Sequence, residues 1–127
     1  MQQYLSVTRD IDGESGIVSL RGQDILFLEW SGKDDRVIVH TLDEEFYVTG
    51  TLKYWSNALN NSGFTFRDVD RNNLVNVDRI VRIDSIFKIA YFESEVRSNS
   101  KHCTMSIKKY RKFEQEFLAD NSQMVMI

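Results

Sequence analysis

The stretch FTFRDVDRNNLVNVDRI, residues 64–80, is the most informative part of the sequence. Its first half alternates Phe64 and Phe66 with polar side chains, and its second half begins with the apolar pair Leu74 and Val75, so it predicts two strands of a hairpin. The turn between them consists of Asp70, Arg71, Asn72 and Asn73. Asp and Asn suit a turn because their side chains bond their own backbone and tolerate left-handed conformations. An arginine in such a turn projects from a rigid base toward a phosphate or a base edge.

Short predicted strands flank this hairpin on both sides. Before it, runs rich in β-branched and aromatic residues are separated by turn signals such as Asp12-Gly13 and Ser31-Gly32. These runs cover residues 5–9, 16–20, 24–30, 37–42 and 45–49. After the hairpin, runs at 86–93 and 102–105 enclose a loop at 94–100. The run at 24–30 is apolar on both faces, which indicates a central strand.

Two helices complete the predicted architecture. Thr51 is a suitable N-cap for a helix that carries Leu52, Trp55 and Leu59 on one face and ends near Gly63. Ser106 can cap a final helix, whose apolar face holds Ile107, Tyr110, Phe113 and Phe117. The predicted fold class is therefore mostly β, a multi-stranded β fold with one short mid-chain helix and a C-terminal helix. We expect one domain across residues 1–127.

Composition limits the class of protein. The 127 residues are 42% apolar and 28% charged, which is typical of a soluble globular chain. No apolar run approaches the roughly 20 residues that a membrane-spanning helix needs, and residues 1–10 do not resemble a signal peptide. Cys103 is the single cysteine and has no internal disulfide partner. These observations predict a cytoplasmic protein without membrane insertion.

Charge is distributed unevenly along the chain. The net charge is −3, but residues 1–50 carry −6 and residues 51–127 carry +3. Five basic and no acidic residues lie between Lys101 and Lys112. Because a protein binds through one face rather than through its average charge, this basic stretch can attract phosphates despite the acidic total.

Lys108 and Lys109 occupy the first turn of the predicted final helix, where the helix dipole favours acids instead. Exposed lysines are tolerated at most surface positions, so the order of charges can be incidental. Alternatively, cations at this strand-to-helix junction meet an external anion.

Catalytic and metal chemistry are poorly supported. His102 and Cys103 are adjacent in a predicted strand, so their side chains point to opposite faces and cannot form a Cys–His pair. Two histidines and one cysteine fall in no metal-ligand spacing, and there is no glycine-rich phosphate loop. We expect neither an enzyme, nor a metal site, nor a cofactor.

Six segments in order carry a family resemblance. They are DILFLEW (24–30), RVIVHT (36–41), EEFYVTGTLKYW (44–55), GFTFRDVDRNNLVNVDRI (63–80), KIAYFE (88–93) and HCTMSIKKY (102–110). In order and spacing this set resembles the LytTR DNA-binding domain of bacterial response regulators, with NNLVNVDRI the most specific piece. The similarity covers about residues 16–117. A chain with so few residues before this domain is expected to be a stand-alone member without a receiver domain.

The resemblance implies a transcriptional regulator that binds double-stranded DNA sequence-specifically, with loops entering successive major grooves of promoter repeats, as a homodimer on DNA. Three places would contact DNA. The implied residues are Lys33, Asp35 and Arg36 in the first loop, Arg71, Asn72 and Asn73 in the hairpin, and Ser106, Lys108 and Lys109 at the strand-to-helix junction.

Two acids stand at these places, which leaves alternatives open. Asp70 can accept a hydrogen bond from a cytosine amino group, or it can orient Arg71. Asp35, Asp70 and the acidic first half also suit a different function, a LytTR-like protein-interaction module that has lost DNA binding and sequesters a related regulator. The apolar tail at 124–127 is either a dimer or partner contact or a frayed terminus.

Overall fold

A computed structural model of the chain describes residues 3–118 and 125–126. Seven antiparallel strands form the larger sheet, in the order β2-β1-β5-β4-β3-β7-β6. They are β1 (Tyr4–Thr8), β2 (Ile17–Arg21), β3 (Phe27–Ser31), β4 (Arg36–His40), β5 (Glu45–Val48), β6 (Phe66–Asp70) and β7 (Asn73–Asn76). The run predicted as central, β3, lies between β4 and β7.

The smaller sheet has the order β10-β9-β8-β11. Its strands are β8 (Arg82–Asp84), β9 (Ile89–Tyr91), β10 (His102–Thr104) and β11 (Val125–Met126). Strand β11 pairs in parallel with β8, whereas the other pairs are antiparallel.

Both predicted helices are present. Helix α1 (Leu52–Asn60) begins where the Thr51 hydroxyl accepts a hydrogen bond from the Tyr54 amide at 3.0 Å. Helix α2 (Ile107–Phe113) is capped by Ser106 in the same way, at 3.2 Å from the Lys109 amide, and continues as a π-helical turn over Glu114–Leu118. The mostly β fold class with a mid-chain and a C-terminal helix is therefore confirmed.

Two apolar cores lie on the two faces of the larger sheet. Helix α1 covers one face, where Leu59 packs with strand residues such as Leu28 and Leu74. The smaller sheet and α2 cover part of the other face, where Phe27 and Val75 pack with Cys103, Tyr110 and Phe113. The larger sheet is thus a platform, and α2 is fixed at its β6 edge.

Two predicted strand boundaries are wrong. The predicted strand 24–30 begins only at Phe27, because Gly22–Asp24 form a 3₁₀ turn. A side chain at position 22 would collide with the Phe64 ring, which explains the glycine. The second hairpin strand ends at Asn76 rather than at residue 80, and Val77–Arg79 form another 3₁₀ turn.

The predicted strand 86–93 is interrupted in its first part. Asp84 Oδ1 accepts hydrogen bonds from the amides of Ile86 and Phe87, at 3.0 and 2.9 Å, and closes a turn ahead of β9. Strands β8 and β11 are three and two residues long, too short to show an alternating pattern. Of the apolar tail, residues 125–126 form β11, and residues 124 and 127 lie outside the described residues.

Candidate nucleic-acid interface

Three surface segments meet at one end of the larger sheet. They are the β3–β4 turn (residues 32–35), the β6–β7 turn (71–72) and the junction between β10 and α2 (105–109), and we call them together the basic end. The Trp30 amide donates to the Asn72 carbonyl at 2.9 Å, which joins the first two segments. The Ser106 amide donates to the Val69 carbonyl at 2.7 Å, which attaches the third. The three predicted DNA-contacting segments, which are far apart in the sequence, are therefore neighbours in space.

The β6–β7 turn is held rigidly by one acid. Asp70 Oδ1 accepts from the Asn72 amide at 2.7 Å, and Oδ2 accepts from Asn73 Nδ2 at 3.0 Å and from Thr104 Oγ1 at 3.2 Å. Both carboxylate oxygens thus bind the protein itself. Of the two roles open to Asp70, the structure shows the orienting one, and the same carboxylate ties the turn to β10.

The residues predicted in this turn separate into two groups. Arg71 and Asn72 are exposed at its tip. In the part of the chain that the structure describes, the Arg71 guanidinium has no ion-pair partner. The Asn73 side chain is buried, and its amide nitrogen also reaches the Thr104 carbonyl at 3.4 Å. Arg71 and Asn72 are therefore presented to solvent, and Asn73 supports them from below.

The β3–β4 turn also divides its predicted residues. Lys33 and Asp35 are exposed, and Asp35 has a left-handed backbone with φ 52°, a conformation that Asp tolerates better than most residues. Arg36 is half-buried, and its guanidinium donates to the carbonyls of Ile11 at 3.1 Å and Asp35 at 2.8 Å. Arg36 fixes the turn, and Lys33 is its exposed cation.

At the β10–α2 junction, Lys109 is already engaged. Its Nζ lies 2.6 Å from Asp68 Oδ2, and this hydrogen bond is the main reason that the pKa of Asp68 is held below its usual 3.8. Lys108 is exposed and has no ion pair among residues 3–118. Lys108 lines a shallow groove together with Ile107, Lys109, Arg111, Lys112 and Gln115. The exposed side of α2 is accordingly cationic.

One cluster at the opposite end of the larger sheet, where β4 ends, has no sequence signal. Lys101 Nζ donates to His40 Nδ1 at 2.9 Å, so the other ring nitrogen, Nε2, carries the proton that it donates to Glu29 Oε1 at 2.9 Å. The His40 ring stacks on Phe27 with centroids 4.2 Å apart. Burial lowers the pKa of His40 below 6.5, so the imidazole is neutral at pH 7.

Reactive and metal chemistry find little support in the geometry. Cys103 is buried and His102 is exposed, as their alternation in a strand predicts. Burial raises the pKa of the Cys103 thiol far above neutrality, so the thiolate nucleophile does not form. Within the described residues, no group of three His, Cys, Asp or Glu side chains could hold a metal ion.

Comparison with known proteins identifies the family. The LytTr DNA-binding domain family matches residues 15–117. The chain belongs to this family. The resemblance seen in the six sequence segments is thereby confirmed, and DNA binding is the general function of a LytTR domain.

A solved structure supports the fold independently. The LytTr DNA-binding domain of a protein described as a methyl-accepting/DNA response regulator from Bacillus cereus matches with a TM-score of 0.68 and 15% identity, over 91% of this chain and 96% of that one. A search of curated proteins finds no match. None of the described helices is long and apolar enough to span a membrane.

Proposed function

We propose that this LytTR domain is a sequence-specific transcriptional regulator of the cytoplasm, and that its basic end enters successive major grooves of a double-stranded promoter repeat, where two copies bind as a homodimer. The observation that carries the proposal is the convergence of exposed cations. Lys33, Arg71 and Lys108 come from three separate segments and stand on one end of a rigid sheet.

Different residues of the basic end suit different parts of the duplex. Arg71 and Asn72 occupy a stiff two-residue tip, and such planar donors can read the edge of a guanine or an adenine. Lys33 and Lys108 are flexible point charges that suit phosphates. Three further residues act indirectly, because they hold the three segments of the basic end in place. They are Asn73, Arg36 and Ser106.

The acidic total charge is compatible with this proposal. Two of the acids at the basic end, Asp68 and Asp70, are occupied by protein donors, Lys109 foremost and Thr104 among the others. Asp35 is the exposed acid of the β3–β4 turn. We propose that it lowers affinity moderately and thereby tunes the complex.

The test begins with a duplex that the protein selects from a random pool. The Arg71→Ala variant should bind this duplex about 1–3 kcal/mol more weakly and should lose part of its preference over random DNA. The control is Lys53→Ala, which removes an exposed lysine of α1, the helix that covers the opposite face of the sheet. Equal losses for both variants would contradict the assignment of the basic end.

A chain that selects no duplex, even at low salt, would contradict DNA recognition altogether. The alternative, a protein-interaction module that sequesters a related regulator, would then be favoured.

A further inference from the structure

Two large apolar side chains, adjacent in sequence, are exposed to solvent on the β8–β9 turn (residues 85–88). Ile86 is 77% exposed and Phe87 is 74% exposed. Scattered single apolar residues are normal on a protein surface, but an adjacent pair at a turn tip is a candidate contact surface.

The tip is held in shape. Asp84 Oδ1 binds the amides of both Ile86 and Phe87, and Lys88 Nζ donates to the Ser85 carbonyl at 2.9 Å. The two apolar side chains are therefore presented by a fixed turn, which reduces the entropy that a binding partner must overcome.

The position of the tip indicates which partner it meets. The Met105 amide donates to the Lys88 carbonyl at 2.9 Å, so the tip adjoins the β10–α2 junction. The Thr104 side chain, at the end of β10 beside that junction, binds Asp70 below the Arg71 turn. The Lys88 ammonium also lies 4.9 Å from the Tyr110 ring of α2. Ile86 and Phe87 are thus a fourth element of the end that carries Arg71 and Lys108.

We infer that the β8–β9 tip contacts thymine methyl groups in the major groove of the bound duplex, with Phe87 as the main contact. This inference rests on the proposed function. The thymine C5-methyl is the apolar group that a major groove displays, and aromatic and aliphatic side chains are its usual partners. The neighbouring cations of α2 favour a polyanion over an apolar protein surface, and the nearby carboxylate of Asp84 is occupied by two backbone amides.

The experiment uses the duplex selected by the wild-type protein, and a series in which each thymine in turn is replaced by uracil. Phe87→Ala should weaken binding to the selected duplex about tenfold and Ile86→Ala somewhat less. The slope of affinity against salt should stay unchanged, because neither side chain neutralises a phosphate. At one or two positions, uracil should weaken wild-type binding about fourfold, as expected for one methyl group left in water.

The decisive result is the combination of the two changes. At those positions, uracil should cost the Phe87→Ala variant nothing further, since the partner of the methyl group is already gone. The matched control is Leu42→Ala, an exposed apolar residue of the β4–β5 turn at the other end of the sheet, which should bind like the wild type. Because all three positions are exposed, thermal unfolding should be nearly unaffected.

Four outcomes would overturn the inference. Wild-type affinity in Phe87→Ala, alongside a loss in Arg71→Ala, would leave the proposed function intact and remove the tip from the interface. If Phe87→Ala loses the same affinity for the thymine and the uracil duplexes, the methyl groups are not the partner of Phe87. If Phe87→Ala no longer self-associates in the absence of DNA, as measured by sedimentation, the tip is a protein contact instead. A wild type that selects no duplex would overturn this inference together with the proposed function.

Discussion

At the two ends of the larger sheet, side chains of opposite charge are bound within the protein. At the basic end, acids such as Asp68 and Asp70 are held by protein donors, whereas Arg71 and Lys108 extend into solvent. The other end is the β4–β5 turn (residues 41–44), which we call the acidic end. There two cations are engaged instead. Arg9 lies 3.2 Å from Glu44, and Lys101 Nζ reaches the Glu44 carbonyl at 3.4 Å.

The comparison shows why net charge is a poor guide for this chain. Each end contains both signs, and the partners within the protein decide which sign faces outward. A carboxylate that accepts several hydrogen bonds presents fewer lone pairs to a ligand than an unpartnered one. An acidic protein can therefore carry a cationic surface, and the sequence of charges alone does not show which residues form it.

The largest effect is expected from substituting Asp70, the acid that organises the Arg71 turn. Asp70→Asn places an NH₂ group either at Oδ2, facing the donors Asn73 Nδ2 and Thr104 Oγ1, or at Oδ1, facing the Asn72 amide, so at least one hydrogen bond is lost. We expect the free energy of unfolding to fall by about 1–3 kcal/mol and DNA binding to weaken, although a negative charge has been removed. Urea unfolding and titration with duplex DNA measure the two effects.

The matched variant is Asp35→Asn in the β3–β4 turn. Asn tolerates the left-handed backbone at this position, and within residues 3–118 the exposed carboxylate bonds to no other element. Its removal should leave stability unchanged and tighten DNA binding a few-fold. Changes of the same sign in the two variants would contradict the difference between an organising acid and an exposed one.

A smaller effect separates the two lysines of the junction. Lys108→Ala should reduce the slope of log affinity against log salt by about 0.9, the value for one lost phosphate contact. Asp68→Ala should do the reverse and raise affinity, because it releases Lys109 from its ion pair. Binding measured between 50 and 300 mM salt distinguishes the pair, and a weaker complex for Asp68→Ala would refute the reading of Lys109 as a neutralised cation.

The smallest expected effect concerns His40, whose pKa is lowered by burial. Below pH 6.5 the His40 side chain is protonated in the unfolded chain but stays neutral in the folded protein. The free energy of unfolding should therefore decrease as the pH falls from 6.5 to the pKa of His40 in the folded protein. The loss approaches about 1.4 kcal/mol for each pH unit between the two pKa values. Urea unfolding at pH 8 and pH 5.5 measures it.

His40→Gln should remove most of this difference in stability between the two pH values. Glu29, Glu45 and Lys101 also face the ring, and all three are kept in this variant, so the comparison with the wild type isolates the imidazole. A wild type that is equally stable at both pH values would contradict a neutral buried imidazole.

The sequence predicts well whatever depends on local pattern. Alternation located β1 to β7, and the N-caps Thr51 and Ser106 located the two helices. Strand β8 was not predicted because its three residues carry a single apolar side chain, Ile83, between two charged ones. The turn at Ile86 was hidden by its β-branched and aromatic composition.

The candidate site was predictable in its locations and less so in its details. The Arg71 turn could be found because Asp and Asn are turn residues. The partners that determine each role lie far away in the chain, as Lys109 does from Asp68 and Thr104 from Asp70. Such contacts depend on how strands are ordered in the sheets, which a single sequence does not encode locally.

The assignment of the basic end can be checked by backbone amide shifts, measured by NMR while a selected duplex is added. We expect the shifts to concentrate in residues 32–36, 70–73, 85–88 and 105–112, and the β4–β5 turn at 41–44 to stay unchanged. Shifts concentrated at the acidic end or along β2, with the Arg71 turn unaffected, would contradict this assignment.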